Sequence, residues 1–337
     1  MLIASLAAAV ALHQTPAPRL TVDGPTLLYG DRPVRLRGVC TGDAILAREG
    51  RGPDDYRRLV DDWNINVARI GMAPTTWRNV DRKLALDELD REVQGILDAG
   101  AFAMIDWHTI GWPDGYYQIP TWEGGVIDTY DSSMTLAMEF WKEMARRYGQ
   151  DGRVIFQLWC EPVYNARDWE TPWGSTWKEL KPHFVRMTNA IRALGAQNLI
   201  LATGNQWAYD LVGIKDDLLP DANTAYMWHV YAGHGANRPE NWLRALDDLD
   251  KVRPVLVTEW GFQEETTSHF KGGREDFGKP FLDLMESRGL HWVAWCWHPT
   301  WGPPMLQSDW VTPTDYGAFV KDALRVNRPE DRPKRSP

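Results

Sequence analysis

Cysteine is scarce in this chain: three occur in 337 residues, Cys40, Cys160 and Cys296. An odd number at wide spacing excludes a disulfide framework, and no metal-ligand spacing is present. Buried free thiols are the expectation, with no metal and no cofactor. Past the N-terminus, no segment approaches the ~20 apolar residues of a membrane span. Basic residues are outnumbered: Lys and Arg total 37 against 46 Asp and Glu, a net charge of −9. A nucleic-acid partner is not expected, because phosphate binding needs a basic face. No short-period repeat and no break in composition divides the chain. With 44% hydrophobic and 25% charged residues, it can bury one large core.

What the chain does have is tryptophan, 19 in all. Several stand in stretches rich in Gly, Pro and polar residues: Trp112, Trp122, Trp169, Trp173, Trp301 and Trp310. A loop tryptophan fills a core poorly. It makes a good flat platform for the apolar face of a sugar. The N-terminus, MLIASLAAAVALHQTPAPRL, carries an apolar stretch ending near Leu12 and then a linker-like segment. It resembles an export leader, although Lys and Arg are missing ahead of the apolar stretch. The expected organisation is a leader and linker over 1–19, one catalytic-size domain over 20–330 and a tail over 331–337. The expected location is secreted or periplasmic.

Apolar runs and amphipathic patterns alternate along the domain. Strands are predicted at 34–39, 66–70, 102–106, 154–158, 198–203, 225–229, 255–258 and 292–297. Helical patterns lie at 54–63, 86–99, 132–148, 176–194, 239–252, 273–288 and 314–325. Between the fifth and sixth strands, only a turn or two of helix is expected, near 207–214. Eight alternations favour a single (β/α)₈ barrel over a doubly wound sheet. The segments after strands three, four and eight are long and rich in aromatics, Gly and Pro. In a barrel, such loops build the catalytic face.

Two glutamates end short apolar runs: VIFQLWCEP carries Glu161 and PVLVTEWGF carries Glu259. A carboxylate at the end of a strand buried on both faces is costly unless it is used. Two of them suggest a paired-carboxylate site at the mouth of a parallel barrel.

At these residues the sequence resembles glycoside hydrolase family 5, from about Val34 to Trp301. The resemblance rests on ordered motifs: RGV at Arg37–Val39, NVARIGM with Arg69, DWH with His108, LWCEP with Glu161, HVY with His229 and Tyr231, TEWG with Glu259, and VAWCW with Trp295 and Trp297. It implies a retaining glycosidase, with Glu161 as acid/base and Glu259 as nucleophile. Arg69 and Tyr231 would hold Glu259 ionised and in line. His229 would tune the carboxyl pair, and His108 would reach a sugar hydroxyl. Trp295 is preferred over Trp297 as the ring under the sugar. Trp112, Trp169 and Asn205 are candidate rim contacts. One departure stands out: Cys160 occupies the position where the family places an asparagine that bonds the sugar 2-hydroxyl. A thiol is a weak donor and cannot reproduce an amide's bonding.

The expected substrate is a β-linked polysaccharide or oligosaccharide, cellulose-like β-1,4-glucan first, cut internally. β-Mannan, exo-action and a non-catalytic carbohydrate-binding barrel remain as alternatives.

Overall fold

A computed structural model describes residues 17–47, 51–113, 131–163, 176–233 and 238–335. Eight parallel strands close into a barrel: β4 (Arg37–Asp43), β5 (Val67–Met72), β6 (Phe102–Trp107), β7 (Val154–Gln157), β8 (Ile200–Ala202), β9 (Thr224–Tyr231), β10 (Val255–Gly261) and β11 (His291–Ala294). Each pairs with the next, and β11 closes on β4. This is the (β/α)₈ architecture that the eight alternations predict.

The strands are mostly apolar because both of their faces are buried. Along β6, Phe102 and Met104 belong to the cluster inside the barrel, while Ala103, Ile105 and Trp107 belong to the layer between barrel and helices. Helices α1 (Pro53–Arg57), α2 (Pro74–Asn79), α3 (Arg82–Ala99), α4 (Met134–Tyr148), α5 (Trp177–Arg192), α7 (Pro239–Leu246), α8 (Lys279–Ser287) and α9 (Asp315–Ala323) cover that outer layer. The helix ends follow local chemistry. Asp81 caps α3 by accepting from the Leu84 N–H, and Gly100 ends it in the left-handed conformation at φ 96°. Between β8 and β9 the helical content is one short turn, α6 (Asn205–Ala208), and a 3₁₀ turn at Ile214–Asp216, as expected.

An antiparallel hairpin sheet precedes the barrel: β1 (Leu20–Asp23), β2 (Thr26–Tyr29) and β3 (Arg32–Pro33). Its two-residue turns begin at Gly24 and Gly30, both at positive φ, as tight hairpins require. Leu20, Leu27 and Tyr29 join the inner cluster, with Tyr29 edge-on to Phe102 at 5.0 Å. The sheet therefore plugs the N-terminal end of the barrel. The segment expected to be a tail docks on the same end through Arg335. Arg332 donates to the Val60 carbonyl at 2.7 Å, and Arg335 pairs with Asp61. The leader-like stretch lies outside the described residues. No described helix is long and apolar enough to cross a membrane.

Candidate active site

The strand ends at the opposite rim bring the sequence-predicted residues together. On β9, Ala225, Met227, His229 and Tyr231 share one face by the two-residue period, and that face looks inward. Neighbouring β10 carries a bulge: Val257 pairs with Trp228, but Glu259, not Thr258, pairs with His229. Two residues of β10 therefore meet one of β9, which re-aims the next side chain. Thr258 and Glu259 both reach the interior, and Trp260 packs in the outer layer. Without the bulge, strict alternation would turn Glu259 towards the helices. Glu161 lies beyond β7, where it forms a parallel bridge with Ile110.

Glu259 is held from three sides. Arg69 Nη1 donates to Oε1 at 2.8 Å, the Tyr231 hydroxyl donates to Oε2 at 2.7 Å, and the Cys160 thiol lies 3.5 Å from Oε1. Burial pushes this carboxyl up. The positive fields of His229, Arg69 and His108, together with the Tyr231 bond, outweigh burial and bring the pKa down to about 2. Glu161 moves the other way. Burial raises its pKa, the His229 contact opposes that, and the nearby Glu259 charge adds to the rise. Its side chain is 12% exposed against 6% for Glu259, so it is the carboxyl nearer the opening.

His229 joins the pair. Its Nδ1 lies 2.9 Å from Glu161 Oε1 and 3.7 Å from Glu259 Oε2. Those oxygens are no further apart than the two distances laid end to end. That bound is at the lower edge of the ~6.5–9.5 Å separation of inverting carboxyls and allows the ~5–5.5 Å of retaining ones. The Nε2 atom lies 2.9 Å from Thr258 Oγ1, so the ring is fixed from both sides.

The remaining candidates separate clearly. His108 stacks parallel on Trp295, with centroids 5.3 Å apart and planes within 5°. Trp295 donates its indole N–H to the Gly302 carbonyl and lies beside Trp301 at 5.9 Å. Trp297 does not share this wall. It is fully buried and sits edge-on to Trp63 at 6.1 Å in the outer core. A strand over 292–297, as predicted, would turn both tryptophans the same way, but β11 ends at Ala294, before either of them. Trp112 is half-buried at the rim, edge-on to His183 at 6.4 Å. Asn205 is buried at the start of α6, and the Trp207 N–H ties that turn to the Pro162 carbonyl, next to Glu161. Trp169, Trp122 and Trp173 lie outside the described residues.

Sequence reading missed three contributors. Asp106 accepts from Arg69 Nη2 at 2.8 Å, and Gln157 accepts from Arg69 Nε at 2.9 Å. Both are polar residues inside apolar strands, at inward positions two residues after Met104 and Ile155. That was the available signal. His269 lies edge-on to Tyr231 at 5.3 Å; burial lowers its pKa to about 4, against the opposing pull of Glu259. Donor type alone would let Asp106, His108 and Cys160, or Cys160, His229 and Glu259, hold a cation. Arg69 already supplies one there, bonded to Asp106 and Glu259 and 3.2 Å from the Cys160 sulfur.

The family model for cellulase, glycosyl hydrolase family 5, matches residues 29–300. This chain belongs to that family. Among curated members it is similar to Endoglucanase N of Pectobacterium atrosepticum, 29% identical over 269 residues. That match covers 78% of this chain and 53% of the relative. Endoglucanase A of Evansella cellulosilytica is 26% identical over 263 residues, covering 78% and 49%. The chain thus spans about half the length of the curated relatives it matches. Among solved family 5 barrels, the native β-glucanase of Saccharophagus degradans superposes with a TM-score of 0.81 at 25% identity, covering 93% of this chain and 94% of that one. The catalytic domain of Thermobifida fusca endoglucanase Cel5A gives 0.73 at 19% identity, covering 91% and 97%.

Proposed function

We propose that this protein is a retaining endo-β-glucanase acting on β-1,4-linked glucan. The carrying observation is the opposite treatment of two neighbouring carboxyls: Glu259 is held ionised by Arg69 and Tyr231, and Glu161 is held towards its protonated form at the opening. That split suits double displacement. Ionised Glu259 attacks the anomeric carbon while Glu161 gives its proton to the departing glycosidic oxygen. The glycosyl–Glu259 ester forms and the leaving sugar departs as an alcohol. Glu161, now a carboxylate, takes a proton from water as that water attacks the same carbon. Glu259 leaves, and the anomeric configuration is retained. Arg69 and Tyr231 keep the nucleophile in line throughout, and the stacked His108 and Trp295 form a wall for the sugar.

For the substrate, the support is the endoglucanase names of the relatives and the similar β-glucanase of S. degradans, which was crystallised with cellotetraose. Export belongs to the same reading, motivated by the apolar N-terminal stretch; N-terminal sequencing of the protein from culture medium checks it.

The test uses Glu259→Ala with added azide. Turnover of an activated aryl β-glucoside or cellobioside should fall by roughly 10⁴-fold or more. Azide should restore it, yielding a glycosyl azide of inverted configuration. Rescue of Glu161→Ala with the inverted product would mean that the two roles are exchanged. Wild-type hydrolysis that inverts the anomeric centre, followed by proton NMR, would overturn the mechanism. A reducing-sugar assay over β-glucans, mannans and xylans decides the substrate. Release of terminal monosaccharide alone from the first minutes would count against internal cleavage.

A further inference from the structure

Asp106 is fully buried on the inner face of β6. One of its oxygens, Oδ2, gathers two groups from different places: Arg69 Nη2 from β5 at 2.8 Å and His108 Nδ1 from just past β6 at 2.8 Å. Its other oxygen, Oδ1, has no hydrogen-bond partner among the described residues. A carboxylate fully buried inside a barrel is a costly choice for structure alone. Its two neighbours are both parts of the site.

The effect on His108 is geometric. Stacking on Trp295 sets the plane of the ring but leaves open which edge faces the protein. An ionised carboxylate accepts only, so Nδ1 must carry a proton to bond Asp106. That fixes the tautomer and the edge together. The effect on Arg69 is a division of charge. Its three nitrogens each donate to a different oxygen, of Glu259, Asp106 and Gln157, and Nη1 and Nη2 also reach the Cys40 and Cys160 sulfurs. A guanidinium given wholly to Glu259 would stabilise that carboxylate more and make it a poorer nucleophile.

We propose that Asp106 is a positioning residue for the reaction. Through one oxygen it fixes the Nδ1–H form of His108 and draws Arg69 partly away from Glu259, so that the nucleophile stays ionised without being over-stabilised. The inference rests on the double-displacement reading above. The charged groups facing His108 are Asp106 on β6, Arg69 on β5, Glu259 on β10 and Glu161 beyond β7. Burial pushes the His108 pKa down, and the Asp106 bond and charge outweigh that and raise it.

The test is Asp106→Asn, which keeps the shape and removes the charge. Glucan kcat should fall by between about tenfold and 10²-fold, the usual cost of losing a partner behind a reacting group, with KM changed by less than about threefold. In parallel, ¹⁵N NMR of the imidazoles should show Nδ1 of His108 in wild type still protonated above the ordinary histidine range. In Asp106→Asn the ring should lose its Nε2 proton at lower pH than in wild type. A purely structural role would change the melting temperature and leave that titration where it was. Unchanged kcat together with an unchanged His108 titration overturns the proposal, even when azide rescues Glu259→Ala and the double-displacement reading stands. If Asp106→Asn does not fold, the wild-type spectrum still decides: an Nδ1 without its proton at pH 8 sinks the idea.

Discussion

The two ends of the barrel both carry arginine–carboxylate pairs, buried at the mouth and half-buried at the plugged end, and they use them differently. At the plugged end, Arg37 gives two donors to the two oxygens of Glu286, at 2.8 and 2.7 Å. Trp292 and Arg35 add bonds to the same carboxylate, at 2.9 and 3.5 Å. At the mouth, Arg69 gives each donor to a different acceptor. A two-pronged pair saturates a carboxylate and fixes geometry. A divided arginine spreads positive field over several groups and leaves them chemistry to do. Burial pushes the Glu286 pKa up, and the bonds from Arg37 and Trp292 more than offset it, so it is a locked anion. Glu161, with no arginine bonded to it in the described structure, is raised instead.

Swapping the damage between the ends tests this contrast most strongly. Arg69→Ala should lower kcat by roughly 10³-fold or more, because it strips the positive field from Glu259, the proposed nucleophile. Arg37→Ala should leave kcat near wild type and cost about 2–3 kcal/mol of stability, read by urea denaturation. Equal losses of kcat in the two variants would erase the distinction.

Next in size is Cys160. Its sulfur lies 3.2 Å from Arg69 Nη2 and 3.5 Å from Glu259 Oε1, so it faces the proposed nucleophile. Burial, with the charges of Asp106 and Glu259, keeps the thiol protonated. Cys160→Asn should raise kcat on the best β-glucan about tenfold, or roughly 1.4 kcal/mol, within reach of one hydrogen bond felt in the transition state. An unchanged or reduced kcat in a folded variant would mean that the site is built around the thiol.

A smaller effect concerns binding away from the cut. Trp301 lies over Gly42, where a Cβ would come within 3.2 Å of the indole ring, and beside Trp295. Trp301→Ala should raise KM for long glucans roughly fivefold to tenfold with kcat little changed, matching about 1–1.4 kcal/mol of stacking. An equal effect on a disaccharide substrate would place Trp301 at the cleavage point instead.

The smallest effect concerns pH at the plugged end. His291 is buried, and its Nδ1 accepts from the Leu36 N–H at 2.9 Å. Burial first, then Arg35 and Arg37, lower its pKa to about 3. The unfolded chain, near 6.5, binds the proton more readily, so stability falls as pH drops from about 6.5 towards 3. His291→Gln should flatten that slope in melting curves taken at pH 7 and pH 4.5, with activity at pH 7 kept.

Much of this was legible in the chain. The eight strands and the strand-end positions of Glu161 and Glu259 follow from patterns within a dozen residues, which local sterics and burial enforce. The N-terminal hairpins were missed although Asp23-Gly24 and Tyr29-Gly30 mark their turns, because strands of two to four residues carry almost no periodicity. The first barrel strand runs on to Asp43 rather than stopping at Val39. Its later residues are polar, and their place in the sheet depends on pairing with β5.

The order of the units, the apolar faces and the chemical side chains at the strand ends are set along the chain. Where those side chains point is set by long-range pairing. The bulge in β10 turns Glu259 inward beside Thr258. The end of β11 at Ala294 sends Trp297 into the core and leaves Trp295 at the mouth. Closure of the barrel lets Asp106, Gln157 and Glu259, from three different strands, divide one arginine. The physical reason is common to all three. A residue's face depends on its register against strands far away in the chain, and a shift of one position moves it from the catalytic interior to the packed exterior.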